Sequence, residues 1–351
     1  MNNSDNRNEF DGGEEIILDF PPIADIEKEK RVFSRLGFGM ALFVLTVLLS
    51  SFVVVIVAGL IGGDFVNSVL FDNLLSPICI YGFGLPVLMA VIGKMDISVP
   101  EKKQMKLSSW LLILLVGFGL MYIGAYIGNS VMSGLSQAFH YDYSNGLNDL
   151  IDYNSLWITA IFMVVVAPIG EEFIFRKLII DRTGKYGSVV SILLSALMFG
   201  LMHSNFYQFF YAFALGIVLG YVYYNTGKLH LTILLHAVLN FSGSILATLL
   251  QGGLDSLMSD IENASEDALL IDVLSEHWAT ILFTVIFELF VLGAMACAII
   301  IPIVMRRRIA ISKGEVQLPR HQTFSTVMMN AGMIVMMAVF AVNFALNLLP
   351  I

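Results

Sequence analysis

The sequence predicts an all-α protein, a polytopic bundle of transmembrane helices, and three observations carry that reading. Of its 351 residues, 57% are hydrophobic and only 13% are charged, whereas soluble domains carry about 25% charged residues. The mean hydropathy is +0.81. Apolar runs of about 20 residues recur along the chain, the length a helix needs to cross a hydrocarbon layer of about 30 Å. They are continuous rather than alternating, which argues against a membrane β-barrel.

Residues 1–36 are polar, mixed in charge and interrupted by Pro21-Pro22, and read as a flexible cytoplasmic tail. The first apolar run begins too late and is too long for a cleaved signal peptide. Three spans follow near 37–61, 74–93 and 109–133, within an N-terminal membrane region of 37–154. Four more, near 156–180, 187–203, 207–226 and 229–250, form a core at 155–250. An acidic stretch at 251–276 reads as an extracytoplasmic loop. Spans near 278–304 and 325–349 complete a C-terminal region of 277–351, joined by a basic cytoplasmic loop. The count is about nine, with eight to ten compatible.

Charge orients these spans. All nineteen Lys and Arg fall in the N-terminal tail, in 94–106, in 176–185, at Lys228 and in 306–320. Segments 62–73, 134–155 and 251–276 hold none, yet contain twelve Asp and Glu. Over nine spans every basic cluster lands on one side, so the positive-inside bias places the N-terminus in the cytoplasm. The net charge of −9 comes without a basic stripe, which excludes a nucleic-acid partner. Cys79 and Cys297 both lie in apolar runs and read as small packing residues.

An ionisable group at mid-membrane costs at least about 2.5–3.5 kcal/mol and so needs a partner or a task. The core concentrates such groups. GEEFIFRKLI places Glu171, Glu172 and Arg176 behind Pro168, FGLMH ends one span with Phe199 and His203, and HAVLN places His236 and Asn240 in another. Glu172 and Arg176 are four apart and can pair on one helical face. Glu171 is turned about 100° away and has no partner in its own helix. Phe199 with His203, and His236 with Asn240, likewise share faces. Pro168 weakens the helical ladder ahead of the carboxylates. Counted from the basic ends of their helices, His236, Glu171 and His203 lie at about 10, 16 and 24 Å. Their convergence requires tilted helices, or a helix at 187–203 that begins below the membrane surface. Glu288 stands apart as a structural or accessory carboxylate.

The ordered set Glu-Glu-x-x-x-Arg, Phe-x-x-x-His and His-x-x-x-Asn resembles the CAAX prenyl endopeptidases of the Ras-converting type. It is equally similar to their bacterial relatives, the CPBP (Abi) family of intramembrane proteases. The likeness spans roughly 155–250. It implies an intramembrane endopeptidase, a hydrolase acting on a membrane-associated peptide or protein within the lipid bilayer. Glu171 would be the general base and His203 would orient the attacking water. His236 and Asn240 would donate to the oxyanion, while Glu172, Arg176 and Phe199 support the site. A metal-assisted version, with zinc on Glu171, His203 and His236, and a metal-free glutamate version both fit this pattern. So do two non-proteolytic readings, a scaffold or immunity protein with a vestigial site and a proton- or metal-coupled transporter. A bacterial source would place the protein in the plasma membrane.

Overall fold

The computed structural model describes residues 25–63, 66, 68–143, 156–263 and 270–349. Among them every regular element is helical, and one isolated bridge joins Gly187 to Lys313. The helices are α1 (Ile26–Ile61), α2 (Leu70–Ile92), α3 (Leu107–Phe139), α4 (Leu156–Tyr186), α5 (Ser188–Met202) and α6 (Phe206–Thr226). They continue with α7 (Leu229–Glu262), α8 (Leu270–Glu276), α9 (Trp278–Val304), α10 (Arg320–Met328) and α11 (Ala331–Leu346). Seven are long and apolar enough to cross a membrane, and eight if the α10–α11 pair is one span. The chain is an integral, multi-pass membrane protein.

Three boundaries differ from those expected. Helix α1 begins at Ile26, inside the stretch read as tail. Asp25 caps it by accepting from the Lys28 amide at 3.2 Å, and Glu27 and Glu29 favour the positive helix start. The rest of that tail lies outside the described residues. The acidic stretch expected as a loop is helical through Glu262, because α7 continues past Gln251 and buries Leu257. The last span is bent by 59°. Asn330 causes the break by accepting from Met333 N to start α11 while donating to Thr326 O and Val327 O at the end of α10.

Helix α5 has 15 residues, about 22 Å, which is short for a hydrocarbon core of about 30 Å. It starts beneath a layer of chain. Ser188 is buried, its amide donates to Ser312 O at 3.1 Å, and Gly187 has φ 93°, which suits glycine alone. Its start is thus covered by the segment around Ser312.

Contacts bring the basic segments to one end. Arg35 Nε donates to Val91 O, Arg182 Nε to Ile92 O, Lys228 Nζ to Gln104 Oε1, and Val316 N to Lys185 O.

Packing is closest where small residues face one another. Helix α1 lies against α2 and α11, burying Phe33, Leu36, Met40 and Phe43 with Leu88, Met333, Met336 and Phe340. At this crossing Gly37 meets Gly332, and a Cβ on Gly332 would lie 1.7 Å from Ser34 O. In a bilayer, where helix association draws on van der Waals contact rather than exclusion of water, such closeness decides stability. Gly332→Leu should therefore cost at least about 1–3 kcal/mol, read as a clearly lowered unfolding midpoint of the detergent-solubilised protein.

Candidate active site

Helix α4 is not regular where the carboxylates sit. Residues Ala167–Glu172 are α-helical but lie between wider π-helical stretches, Ile161–Val166 and Phe173–Ile180. In the first of these the Ala167 amide donates to Phe162 O, five residues back. The next bond in that pattern would join residue 168 to Met163 O, and Pro168 has no N–H to give. Asn240 Nδ2 supplies it instead, 2.9 Å from Met163 O. In the second stretch Ser195 Oγ donates to Phe175 O at 2.8 Å. Two polar side chains from neighbouring helices thus repair the ladder around Glu171 and Glu172.

Glu172 and Arg176 are both fully buried. Glu172 Oε2 lies 3.0 Å from Arg176 Nε, and Glu172 Oε1 lies 3.0 Å from His236 Nδ1. The approach to Arg176 is a contact of charges and not an aligned hydrogen bond, and its Nη1 and Nη2 have no hydrogen-bond partner among the described residues. Its guanidinium carbon lies 4.9 Å from the centroid of Phe199, a cation–π contact that gains strength away from water. Phe199 also meets His203 and His236 edge-to-face, with centroids at 5.1 and 5.6 Å. This one ring fixes the guanidinium and both imidazoles.

The two histidines present the same kind of atom to the site. His203 Nδ1 lies 2.9 Å from Phe199 O, so it carries the proton and donates, leaving Nε2 as the free nitrogen. His236 Nδ1 faces the Glu172 carboxylate in the same sense, leaving Nε2. That nitrogen is 3.6 Å from Glu171 Oε2, beyond hydrogen-bond length. Glu171 keeps 26% of its side chain exposed, where Glu172 has none. Of the residues singled out in the sequence, Glu171, Glu172, Arg176, Phe199, His203 and His236 converge from α4, α5 and α7. Asn240 adjoins them but spends an amide proton on the backbone of α4.

Other residues complete the site without any signal in the motifs. Tyr81, in a π-helical stretch of α2, packs its phenol against Gly170, where an added Cβ would lie 2.2 Å from the hydroxyl oxygen. Glu171 therefore has a tyrosine beside its own backbone, and its charge acts on both Tyr81 and Tyr211. Tyr211 lies 6.4 Å, centroid to centroid, from His203. His203 is held from behind. Ser204 follows it at φ 56°, and α11 clamps that turn through Asn343 Nδ2 to Ser204 Oγ (2.5 Å) and Asn347 Nδ2 to Ser204 O (3.0 Å).

Zinc bound to protein takes three or four ligands at about 2 Å. The second nitrogens of both imidazoles are anchored as metal ligands require. Yet among the described residues no three His, Cys, Asp or Glu side chains stand close enough to share an ion. As placed, Glu171, His203 and His236 are not a coordination set.

Residues 153–242 match the family model described as type II CAAX prenyl endopeptidase Rce1-like. No curated protein and no solved structure matches the chain.

Removing one member of the buried charge cluster should expose its cost. Arg176→Met leaves Glu172 without its cation and should destabilise by about 3–5 kcal/mol. The double variant Glu172→Gln/Arg176→Met should recover part of that loss, measured as unfolding midpoints in detergent.

Proposed function

Residues 153–242 match the Rce1-like type II CAAX prenyl endopeptidase family model, and from that premise we propose that the chain is a glutamate-dependent intramembrane endopeptidase. Its substrate is a membrane-associated peptide or protein. One observation carries the reading: Glu171 is the partly exposed carboxylate of the cluster, with no lysine or arginine in ion-pair contact among the described residues, and its Oε2 lies 3.6 Å from His236 Nε2 on another helix.

Each residue's task follows from its contacts. Glu171 takes a proton from a water held between its carboxylate and His203 Nε2, and the water oxygen attacks the scissile carbonyl carbon. The resulting oxyanion needs donors already in place. His236 is the first candidate, presenting Nε2 to the same space while Glu172 holds its Nδ1. The Tyr81 hydroxyl, beside Gly170, is a second candidate donor. Glu171 then passes its proton to the leaving amine nitrogen, the C–N bond breaks, and the base is restored. Arg176 offsets the Glu172 charge, so Glu172 can serve His236 without leaving a buried charge uncompensated. Asn240 acts indirectly in this scheme, as a positioning residue that mends the helix interruption ahead of Glu171.

Reconstituted full-length protein should cleave a fluorogenic prenylated CAAX peptide or a membrane-anchored test peptide. Glu171→Gln and His203→Ala should each lower the rate by at least about 10²-fold while the unfolding midpoint stays near that of the unmodified chain. Full activity in both variants would overturn the assignment of roles, whereas no cleavage by the unmodified protein would favour a non-hydrolytic role.

Chelation separates the two chemistries of hydrolysis. Because the residues do not form a coordination set, cleavage should persist in EDTA and in 1,10-phenanthroline. Loss of cleavage restored by added zinc would show that Glu171, His203 and His236 close around an ion.

A further inference from the structure

A second polar concavity lies outside the site just described. Lys28, Arg31 and Arg35 of α1, Lys94 after α2, and Arg182 and Lys185 at the end of α4 line a cavity of about 260 Å³. Asp96 is the sole carboxylate on its wall, 3.9 Å from Lys185 Nζ. Glu29, behind the wall, lies 3.8 Å from the same nitrogen and also accepts the Tyr186 hydroxyl. Among the described residues Lys28, Arg31, Arg35 and Lys94 have no carboxylate within ion-pair distance.

A positive-inside bias explains cations scattered over a surface, but not six of them converging from three segments on one hollow. Their mutual repulsion opposes folding unless an anion joins them. Two of the guanidiniums are also pre-positioned. Arg182 is only 6% exposed and donates Nε to Ile92 O at 2.9 Å and Nη1 to Leu178 O at 3.0 Å. Arg35 donates Nε to Val91 O at 2.6 Å. Both Nη groups of Arg35 remain without a hydrogen-bond partner among the described residues, a two-nitrogen fork that suits phosphate, and Arg182 adds its remaining Nη2 as a single donor.

The position narrows the ligand. Apolar helices α2 and α4 end at Ile92 and Tyr186 beside the cavity, while α1, 36 residues and about 54 Å long, extends past them as its outer wall. Ends of membrane spans lie at the level of lipid headgroups. We propose that this cavity binds a phosphate-bearing anion presented by the headgroup of an anionic lipid. Bound there, it joins α1 to the end of the helix that carries Glu171 and Glu172.

The test uses full-length protein in a neutral detergent, with native mass spectrometry and thermal unfolding as readouts. The probes are dioleoyl phosphatidic acid, dioleoyl phosphatidylcholine and inorganic phosphate. Phosphatidic acid should bind at least about 10-fold more tightly than phosphatidylcholine and raise the unfolding midpoint. Arg31→Ala/Lys94→Ala removes two exposed, unpaired cations. It should lower that affinity by about 10-fold or more without lowering the lipid-free midpoint, which relief of repulsion should hold or raise. If inorganic phosphate alone gives the same stabilisation with the same sensitivity to the variant, phosphate recognition holds and its source is soluble. Equal binding of the two lipids, or binding that survives the double substitution, overturns the proposal.

Discussion

A fully buried guanidinium must be satisfied by whatever the fold brings to it, and that constraint organises the centre of this protein. Arg176 has zero exposure, and among the described residues its nearest partners are the Glu172 carboxylate and the face of Phe199. Each ties it to another helix. Through Glu172 it reaches His236 on α7, and through Phe199 it reaches both imidazoles and α5. Desolvating two charges is expensive, and their attraction repays it only when geometry is held closely. The three helices are therefore docked by a charge network whose by-product is an ordered pair of imidazole nitrogens. Structure and chemistry share the same atoms here.

Much of the site was legible because its parts are local. The spacing of four between Glu172 and Arg176, and between Phe199 and His203, defines a shared face whatever surrounds the helix. The odd carboxylate, Glu171, followed from helical phase alone. Relations that join distant segments left no such trace. Tyr81 is one aromatic among many in an apolar run, and only the fold shows that its phenol covers Gly170. Asn343 and Asn347 are unremarkable polar residues in a terminal span until Ser204 is seen between them. Asn240 was visible as a polar intruder on the face of His236, but Met163, its acceptor, is a backbone carbonyl 77 positions away.

The same distinction applies to the fold. Hydropathy located the membrane helices, since apolar length is what a bilayer selects. It did not reveal the π-helical stretches in α2, α4 and α7, because a change in winding leaves composition untouched. It also misjudged residues 251–262, whose acidic groups lie on an otherwise amphipathic helix. Irregular winding is common beside functional sites because it re-aims side chains. In α4 it flanks Glu171 and Glu172 on both sides.

The clamp on Ser204 has a consequence for modularity. His203 belongs to the recognisable segment, but the turn that follows it is gripped by the last helix, some 140 positions downstream and outside that segment. Tyr81 reaches the same place from a helix that precedes it. The family-like portion is thus a chemical unit without being a mechanical one. Transplanted alone into another membrane scaffold, it would keep its motif and lose the two braces that aim it. Its aim depends on helices that flank it on both sides in the chain, α2 before it and α11 after it.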